Sequence, residues 1–244
     1  MIATGTAAVV REIRWLTDST FVLTFDRNGI DFTPGQYLSV GIPGSIHMRE
    51  YSVYAPVGGE AVAILVKIVD GGLVSHALAA LAPGDTVIVD GPFGFFTVDE
   101  DWREHRFRFI ATGTGISPFH SIVGSCPGID YQLIHGVRYP HEGYDLDRYD
   151  PDRVIRCITR AGGDEARADT DRGAGNGGGS TRADTGDDGF PRFPGRVTDY
   201  LRSTTIDVDA RYYLCGNCDM IYEAFDILQD AGVPHSRLFA EVYF

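Results

Sequence analysis

The sequence predicts two domains of different class in succession: an N-terminal antiparallel β-barrel, then a doubly wound parallel α/β domain. Three observations carry this. Residues 1–100 hold short apolar strands separated by Gly and Pro turns, with one helix among them, a pattern that closes into a barrel. From about Arg106 onward, apolar strands alternate with helical stretches, as in a parallel sheet covered on both faces. A length of 244 residues accommodates two ordinary domains. The expected boundaries are 1–100 and 101–244.

The elements follow in order. Residues 7–10 begin a first strand, Thr17-Asp18-Ser19 breaks it, and residues 20–25 return as its partner with partial apolar–polar alternation. Asn28-Gly29 marks a turn. Strands are expected at 37–40, 50–54, 61–69 and 86–90, punctuated by Pro34-Gly35, Pro56, Gly58-Gly59, Pro83-Gly84 and Gly91-Pro92. Ser75 is positioned to cap a helix over 76–81, which Pro83-Gly84 ends. Beyond the boundary, strands are expected at 107–111, 131–136, 153–159 and 211–216, and helices at 119–123, 197–202 and 220–230, the last stopped by Gly232. Residues 161–190 are rich in Gly, Asp, Ala, Thr and Arg and nearly free of apolar side chains. They bury too little to offset ordering entropy and read as a disordered surface insertion, with a docking loop as the alternative.

Composition narrows the function classes. Hydrophobic residues make up 43% and charged residues 23%, which supplies a core and argues against global disorder. Net charge is −13, from 21 Lys plus Arg against 34 Asp plus Glu. Nucleic acid and anionic membranes are therefore poor partners. Lys67 is the only lysine, so the remaining cations are arginines; a high-salt setting and a GC-rich genome both account for that bias. No long uncharged apolar run spans a membrane and no signal peptide is expected. Cys126, Cys157, Cys215 and Cys218 are too few and scattered for a disulfide framework. A reduced, cytoplasmic setting follows as the expectation.

Several stretches carry chemistry. In Arg49-Glu50-Tyr51-Ser52, strand alternation puts Arg49 and Tyr51 on one face and Glu50 and Ser52 on the other. A fixed cation beside an aromatic plane suits a ligand with a phosphate and a flat ring; an exposed cation beside a half-buried aromatic is the plainer alternative. Gly72-Leu73-Val74-Ser75 places small residues and a hydroxyl at a helix start, where N–H groups favour a diphosphate. Gly113-Thr114-Gly115-Ile116-Ser117-Pro118 is a glycine-rich strand-to-helix turn that lets backbone approach a dinucleotide pyrophosphate. It is not G-x-G-x-x-G, because Pro118 stands where that fingerprint would continue. Arg138, Arg160 and Arg196 follow strand ends or open a helix, at the edge where doubly wound sheets bind ligands, and Arg-type donors suit an adenosine 2′-phosphate. Cys215 and Cys218 form a C-x-x-C, read on its own as a dithiol, half a zinc site, or a small buried residue at 218. No second pair completes a zinc site, and no metal is expected.

Taken in order and spacing over nearly the whole chain, these motifs resemble the ferredoxin (flavodoxin)–NADP reductase family, bacterial type. They are Arg49-Glu50-Tyr51-Ser52 as R-x-Y-S/T, Gly71-Gly72-Leu73-Val74-Ser75, Gly91-Pro92-Phe93-Gly94, the Gly113 turn as G-T-G-x-x-P, Cys215-Gly216-Asn217, and the closing Glu241-Val242-Tyr243-Phe244. The resemblance implies an FAD-binding barrel at 1–100 and an NADP-binding α/β domain at 101–244. It implies that Arg49 and Ser75 share the FAD pyrophosphate, that Tyr51 stacks on the isoalloxazine and that Ser52 bonds near flavin N5. Glu50, Leu73, Val74, Thr114 and Phe244 join the implied FAD contacts, with Ile64, Leu65, Val66 and Lys67 contributing largely through backbone. The implied NADP contacts are Gly113, Thr114, Gly115, Val137, Arg138, Thr159, Arg160, Arg196, Cys215, Gly216 and Asn217. Ser52, Cys215, Glu241 and Tyr243 are the implied catalytic set, with Cys215 beside the nicotinamide and Tyr243 covering the flavin. Cys218 stands where the family usually has proline.

The implied function is an FAD-dependent oxidoreductase moving electrons between NADPH and a one-electron carrier such as ferredoxin or flavodoxin, acting as a monomer. Two alternatives stay open: an NADH-linked reductase component of a multicomponent oxygenase, and a non-autonomous electron-transfer subunit. An acidic carrier would need a local cationic patch on this acidic chain. Arg103, Arg106 and Arg108 at the domain boundary, then Arg11, Arg14 and Arg27 in the barrel, are the candidates.

Overall fold

A computed structural model of the chain describes residues 5–160, 184–185 and 189–243. Phe244 and most of the expected insertion at 161–190 lie outside the described residues.

The first sheet has six strands: β1 (Thr6–Thr17), β2 (Thr20–Asp26), β3 (Tyr37–Gly41), β4 (Met48–Ser52), β5 (Ala61–Lys67) and β6 (Thr86–Phe93), in the order β4-β3-β6-β1-β2-β5. Every pairing is antiparallel. The two edge strands approach each other through an antiparallel bridge between Val53 and Ile64, backed by the Tyr54 N–H donating to the Ala63 carbonyl at 2.8 Å. That contact closes the barrel and removes its open edge. Phe21, Leu23 and Phe25 of β2 and Val62, Ile64 and Val66 of β5 fill its interior. The intervening Val22, Ala63 and Leu65 are buried too, but in a different cluster, with Phe119 and Ile122 of the second domain. β5 therefore reads as a continuous apolar run because both its faces are covered, one by the barrel core and one by its neighbour.

The second sheet has seven strands: β7 (Arg106–Thr112), β8 (Asp130–Val137), β9 (Val154–Ile158), β10 (Asp184–Thr185), β11 (Pro191–Pro194), β12 (Arg211–Gly216) and β13 (Leu238–Val242), in the order β10-β11-β9-β8-β7-β12-β13. All pairings are parallel except β10 with β11. α1 (Leu73–Ala79) belongs to the barrel, and α2 (Ser117–Ser125), α3 (Val197–Ser203) and α4 (Cys218–Asp230) belong to the second sheet. Phe119 and Ile122 of α2 pack with Phe107, Phe109 and Tyr213 on the face toward the barrel. Leu201 of α3 and Leu228 of α4 pack with Ile110, Ile134 and Leu214 on the other face. Helices on both faces of a parallel sheet make the doubly wound architecture the sequence predicts.

Several details differ from the sequence reading. α1 begins at Leu73, with Gly72 at its N-cap, so Ser75 lies inside the helix and caps nothing. Its hydroxyl accepts from the Val69 N–H at 3.2 Å and donates to the Gly72 carbonyl at 3.4 Å, tying the helix to the loop that enters it. β6 runs on through Gly91-Pro92 to Phe93, because its pairing with β3 continues to Tyr37. β11 and β13 were not anticipated: prolines flank the first, and the second mixes polarity and is ordered by its parallel register with β12. Part of the span expected to be a disordered insertion is ordered: Asp184–Thr185 pairs with Arg192 and Pro191, and Phe190 is buried against the inter-domain cluster. Among the described residues no helix is long and apolar enough to cross a membrane.

Candidate active site

The two domains meet around Ser52, at the end of β4. Its hydroxyl donates to Glu241 Oε2 at 2.7 Å and accepts from the Tyr243 hydroxyl at 2.6 Å. Its carbonyl accepts from the Ser117 hydroxyl at 2.9 Å, and three residues on the Ala55 carbonyl accepts from Ser121 at 2.7 Å. Ser117 and Ser121 stand four apart on α2, hence on one helix face. So a barrel strand is held from one side by a helix of the second domain and from the other by its last strand. The register of β12 with β13 sets Cys215 opposite Glu241, and the Tyr243 N–H donates to the Gly216 carbonyl at 2.9 Å.

Burial sets the electrostatics here. It raises the Glu241 carboxyl above its ordinary range, against the lowering effect of the Ser52 hydrogen bond. It raises the Cys215 thiol well above the ordinary range, with the Glu241 carboxylate adding to it. Cys215 is thus a neutral thiol, in keeping with a packing role and not a nucleophilic one. The Tyr243 hydroxyl is likewise held protonated, chiefly by burial. In the resulting chain Tyr243 donates to Ser52 and Ser52 donates to Glu241, with one direction fixed for both protons.

Next to this chain lies a cavity of about 510 Å³ at the carboxyl ends of the parallel strands, where doubly wound sheets bind ligands. The turn after β7 forms its floor. Gly113–Ile116 is a 3-10 turn, and α2 follows with Pro118 in its first turn. The turn is pressed against β12: a Cβ on Gly115 would lie 2.3 Å from the Cys215 carbonyl oxygen. Gly216 is left-handed, at φ +127°, and a Cβ there would lie 2.4 Å from Thr112 Oγ1. Glycine is required at both places, at the first by close approach and at the second by conformation as well.

Of the residues expected to meet a nucleotide, Gly113, Thr114, Val137, Arg138, Thr159, Arg196, Gly216 and Asn217 line this cavity, together with Lys67 and Tyr243 from the flavin set. Gly115 and Cys215 are buried behind its wall. Arg160 is not among the lining residues; its guanidinium lies over the Tyr139 ring, 5.9 Å from the centroid, and donates to the Tyr139 hydroxyl. On the barrel side Arg49 is exposed and donates to the Met48 carbonyl, Glu50 is exposed, and Tyr51 is half-buried against the barrel core. The side chains of Ile64, Leu65 and Val66 are buried in the packing, while Leu73 is exposed and Val74 and Ser75 are buried. Phe244 lies outside the described residues. Cys218 opens α4 and is partly exposed, not the buried residue one reading expected, since the first turn of the helix borders the cavity.

The barrel residues fit a flavin dinucleotide on two observations. No side chain caps the start of α1, which leaves its first amides to a phosphate, and a Cβ on Gly72 would crowd Ser75 Oγ and the Val69 carbonyl, so bare backbone is required there. Arg49 and Tyr51 stand two apart on β4, a guanidinium and a ring on one face. The boundary arginines do not form a patch at this site. Arg106 and Arg108 lie at the start of β7, the opposite end from the cavity, and both bond Asp207, while Arg103 stacks on Trp102.

Sequence reasoning missed Ser117, Ser121, Glu142 and Asp145. Glu142 lines the cavity, accepting from the backbone N–H groups of Arg138 and Tyr139 at 2.8 and 3.0 Å. Asp145 accepts from both terminal nitrogens of Arg14 on β1 and from the Tyr54 hydroxyl at 3.0 Å, which ties the loop after β8 to the barrel. Of these only Ser121 falls on a helix the sequence predicts, over 119–123, while Ser117 sits in the glycine turn before it.

A barrel with an uncapped phosphate-ready helix, joined to a parallel sheet with a nucleotide-sized cavity, defines a two-domain flavin- and nucleotide-binding class. Residues 8–98 match the family model described as the oxidoreductase FAD-binding domain. It is 37% identical over 142 residues to the flavodoxin/ferredoxin–NADP reductase of Escherichia coli, covering 55% of this chain and 56% of that protein. It is 33% identical over 155 residues to the toluate 1,2-dioxygenase electron transfer component of Pseudomonas putida, covering 59% of this chain and 45% of the other. The match thus spans about half the length of these curated relatives. The fold is shared with a ferredoxin NADP+ reductase from Neisseria gonorrhoeae with bound FAD and NADP, at TM-score 0.78 and 20% identity over 99% of this chain and 100% of that one. The resemblance read from the sequence, to the ferredoxin (flavodoxin)–NADP reductases, is borne out.

Proposed function

We propose that this chain is an FAD-dependent oxidoreductase that moves electrons between NADPH and a one-electron carrier such as ferredoxin or flavodoxin, acting as a cytoplasmic monomer. The observation that carries the reading is the chain from Tyr243 through Ser52 to Glu241, which spans the two domains beside a cavity carrying Lys67, Arg138 and Arg196. Arg49, Tyr51 and the start of α1 would hold FAD, which when bound supplies hydride acceptance and single-electron release. Ser52 is fixed from both sides, so its hydroxyl has one orientation. Glu241 Oε2, with its affinity for a proton raised by burial, is the group at this site suited to hold or pass one. Tyr243 lines the cavity and would shield the reacting face from water. Arg138 and Arg196 supply donors of the kind a 2′-phosphate needs.

Steady-state reduction of a dye by the purified yellow protein, with NADPH and with NADH, tests this. A preference for NADPH supports the reading. A preference for NADH supports a second one, the reductase component of an oxygenase, which the similarity to the toluate dioxygenase component and the carboxylate of Glu142 in the cavity both favour.

A further inference from the structure

Three carboxylates line the cavity, those of Glu142, Asp219 and Glu223, and the first of them sits at a place built of donors. Glu142 stands on the loop after β8, and its Oε2 accepts from two successive backbone N–H groups, those of Arg138 and Tyr139. Convergent backbone amides beside an arginine make an anion seat, and here the occupant is a carboxylate of the same chain. Glu142, Arg138 and Arg196 line one cavity.

The sheet order fixes which part of a dinucleotide would reach this seat. Cys215 and Glu241 stand on β12 and β13, the glycine turn follows β7 in the middle, and β8 and β9 lie on the far side. A dinucleotide with its nicotinamide at Cys215 and its pyrophosphate on the turn extends its adenosine over β8 and β9. At that position arginine favours a 2′-phosphate, and a carboxylate favours a free 2′-hydroxyl. This site holds both.

We propose that Glu142 is a specificity-determining residue whose carboxylate, seated on the Arg138 and Tyr139 amides, reduces the preference of the site for a 2′-phosphate over a 2′-hydroxyl. The assignment rests on the pyridine-nucleotide reading above. A carboxylate and a phosphate bound in one cavity repel each other, and at physiological salt that repulsion is screened only over a Debye length of about 8 Å.

Calorimetric titration of the purified full chain with adenosine 2′,5′-bisphosphate and with AMP tests this without turnover. Glu142→Gln keeps the volume and an acceptor oxygen and removes the charge. Its affinity for the bisphosphate should rise about fivefold or more, with a change of less than about twofold for AMP, and the gain should shrink at molar salt. Glu142→Asp, which keeps the charge, should stay near the wild-type ratio. Equal shifts for both ligands, no shift, or an Asp variant that gains as much as the Gln variant would overturn the role of charge at Glu142 and leave the reductase reading standing. Wild-type protein that binds neither ligand, and whose flavin neither pyridine nucleotide reduces, would overturn both.

Discussion

At the scale of single residues, Ser52 and two histidines make the sharpest statements. Ser52 is bonded to both Glu241 and Tyr243. Ser52→Ala breaks both bonds and leaves the Glu241 carboxylate without its hydroxyl donor, while the barrel core is untouched. Dye reduction should fall about tenfold or more, roughly 1.4 kcal/mol, with the unfolding midpoint little changed; an unchanged kcat would remove Ser52 from the machinery. His120 is stacked on Tyr54 at 4.1 Å, and His135 Nε2 donates to the Gly113 carbonyl at 2.9 Å. Both are lowered from 6.5 to about 4, first by burial, with nearby arginines adding to it. A group depressed in the folded state contributes stability above its unfolded value, and that stability is lost as pH falls toward the folded one. Unfolding free energy should therefore drop between pH 6.5 and about 4, by up to ~3 kcal/mol per histidine. Urea titrations at neutral pH and at about pH 5 measure it, and His120→Phe should flatten the slope.

At the scale of elements, the turn after β7 packs on β12 with no room for a side chain at Gly115. Gly115→Ala puts a methyl against the Cys215 carbonyl, and backbone on both sides must give. A loss of about 1–3 kcal/mol in stability is expected, together with weakened nucleotide binding; binding and midpoint both at wild-type values would show that the turn has room. This scale also shows what was legible. The strand-to-helix grammar and the glycine turn were readable, because an apolar strand, glycines and Pro118 all act locally. β13 was not readable, because Leu238–Val242 is a strand through its pairing with β12 and not through its own alternation. Ser75 misled because a serine near a helix start reads as a cap, whereas the chain turns into helix two residues earlier. Ser52, Cys215, Glu241 and Tyr243 were picked out by motif, and they gather here through hydrogen bonds and strand register. Ser117, Glu142 and Asp145 act across the domain seam or through a loop, where no local pattern records the partner.

At the scale of the whole molecule, the seam is where the candidate site forms, since Ser52 comes from the barrel and Glu241, Tyr243 and most of the cavity lining come from the second domain. Besides Ser117 and Ser121, a charged clasp holds it: Arg14 meets Asp145 through two nitrogens, and Tyr54 shares the same carboxylate. Asp145 is only 11% exposed, so Arg14→Ala leaves it poorly compensated. The expected cost is about 1–3 kcal/mol, read as a lower urea midpoint, with KM for the nucleotide raised more than kcat is lowered. No change in either would mean that apolar packing alone sets the domain angle. The clasp also explains why Arg14 is a poor docking residue for a carrier: its charge is already engaged within the chain.

The central claim is that electrons from a pyridine nucleotide in the second-domain cavity reach FAD in the barrel. Anaerobic addition of NADPH to the purified protein, followed by flavin absorbance, tests it most directly. The account predicts FAD bound close to one per chain and a flavin band that bleaches on addition of NADPH, and does so more slowly in Ser52→Ala. A protein that purifies with FAD whose band neither NADPH nor NADH can bleach would contradict it.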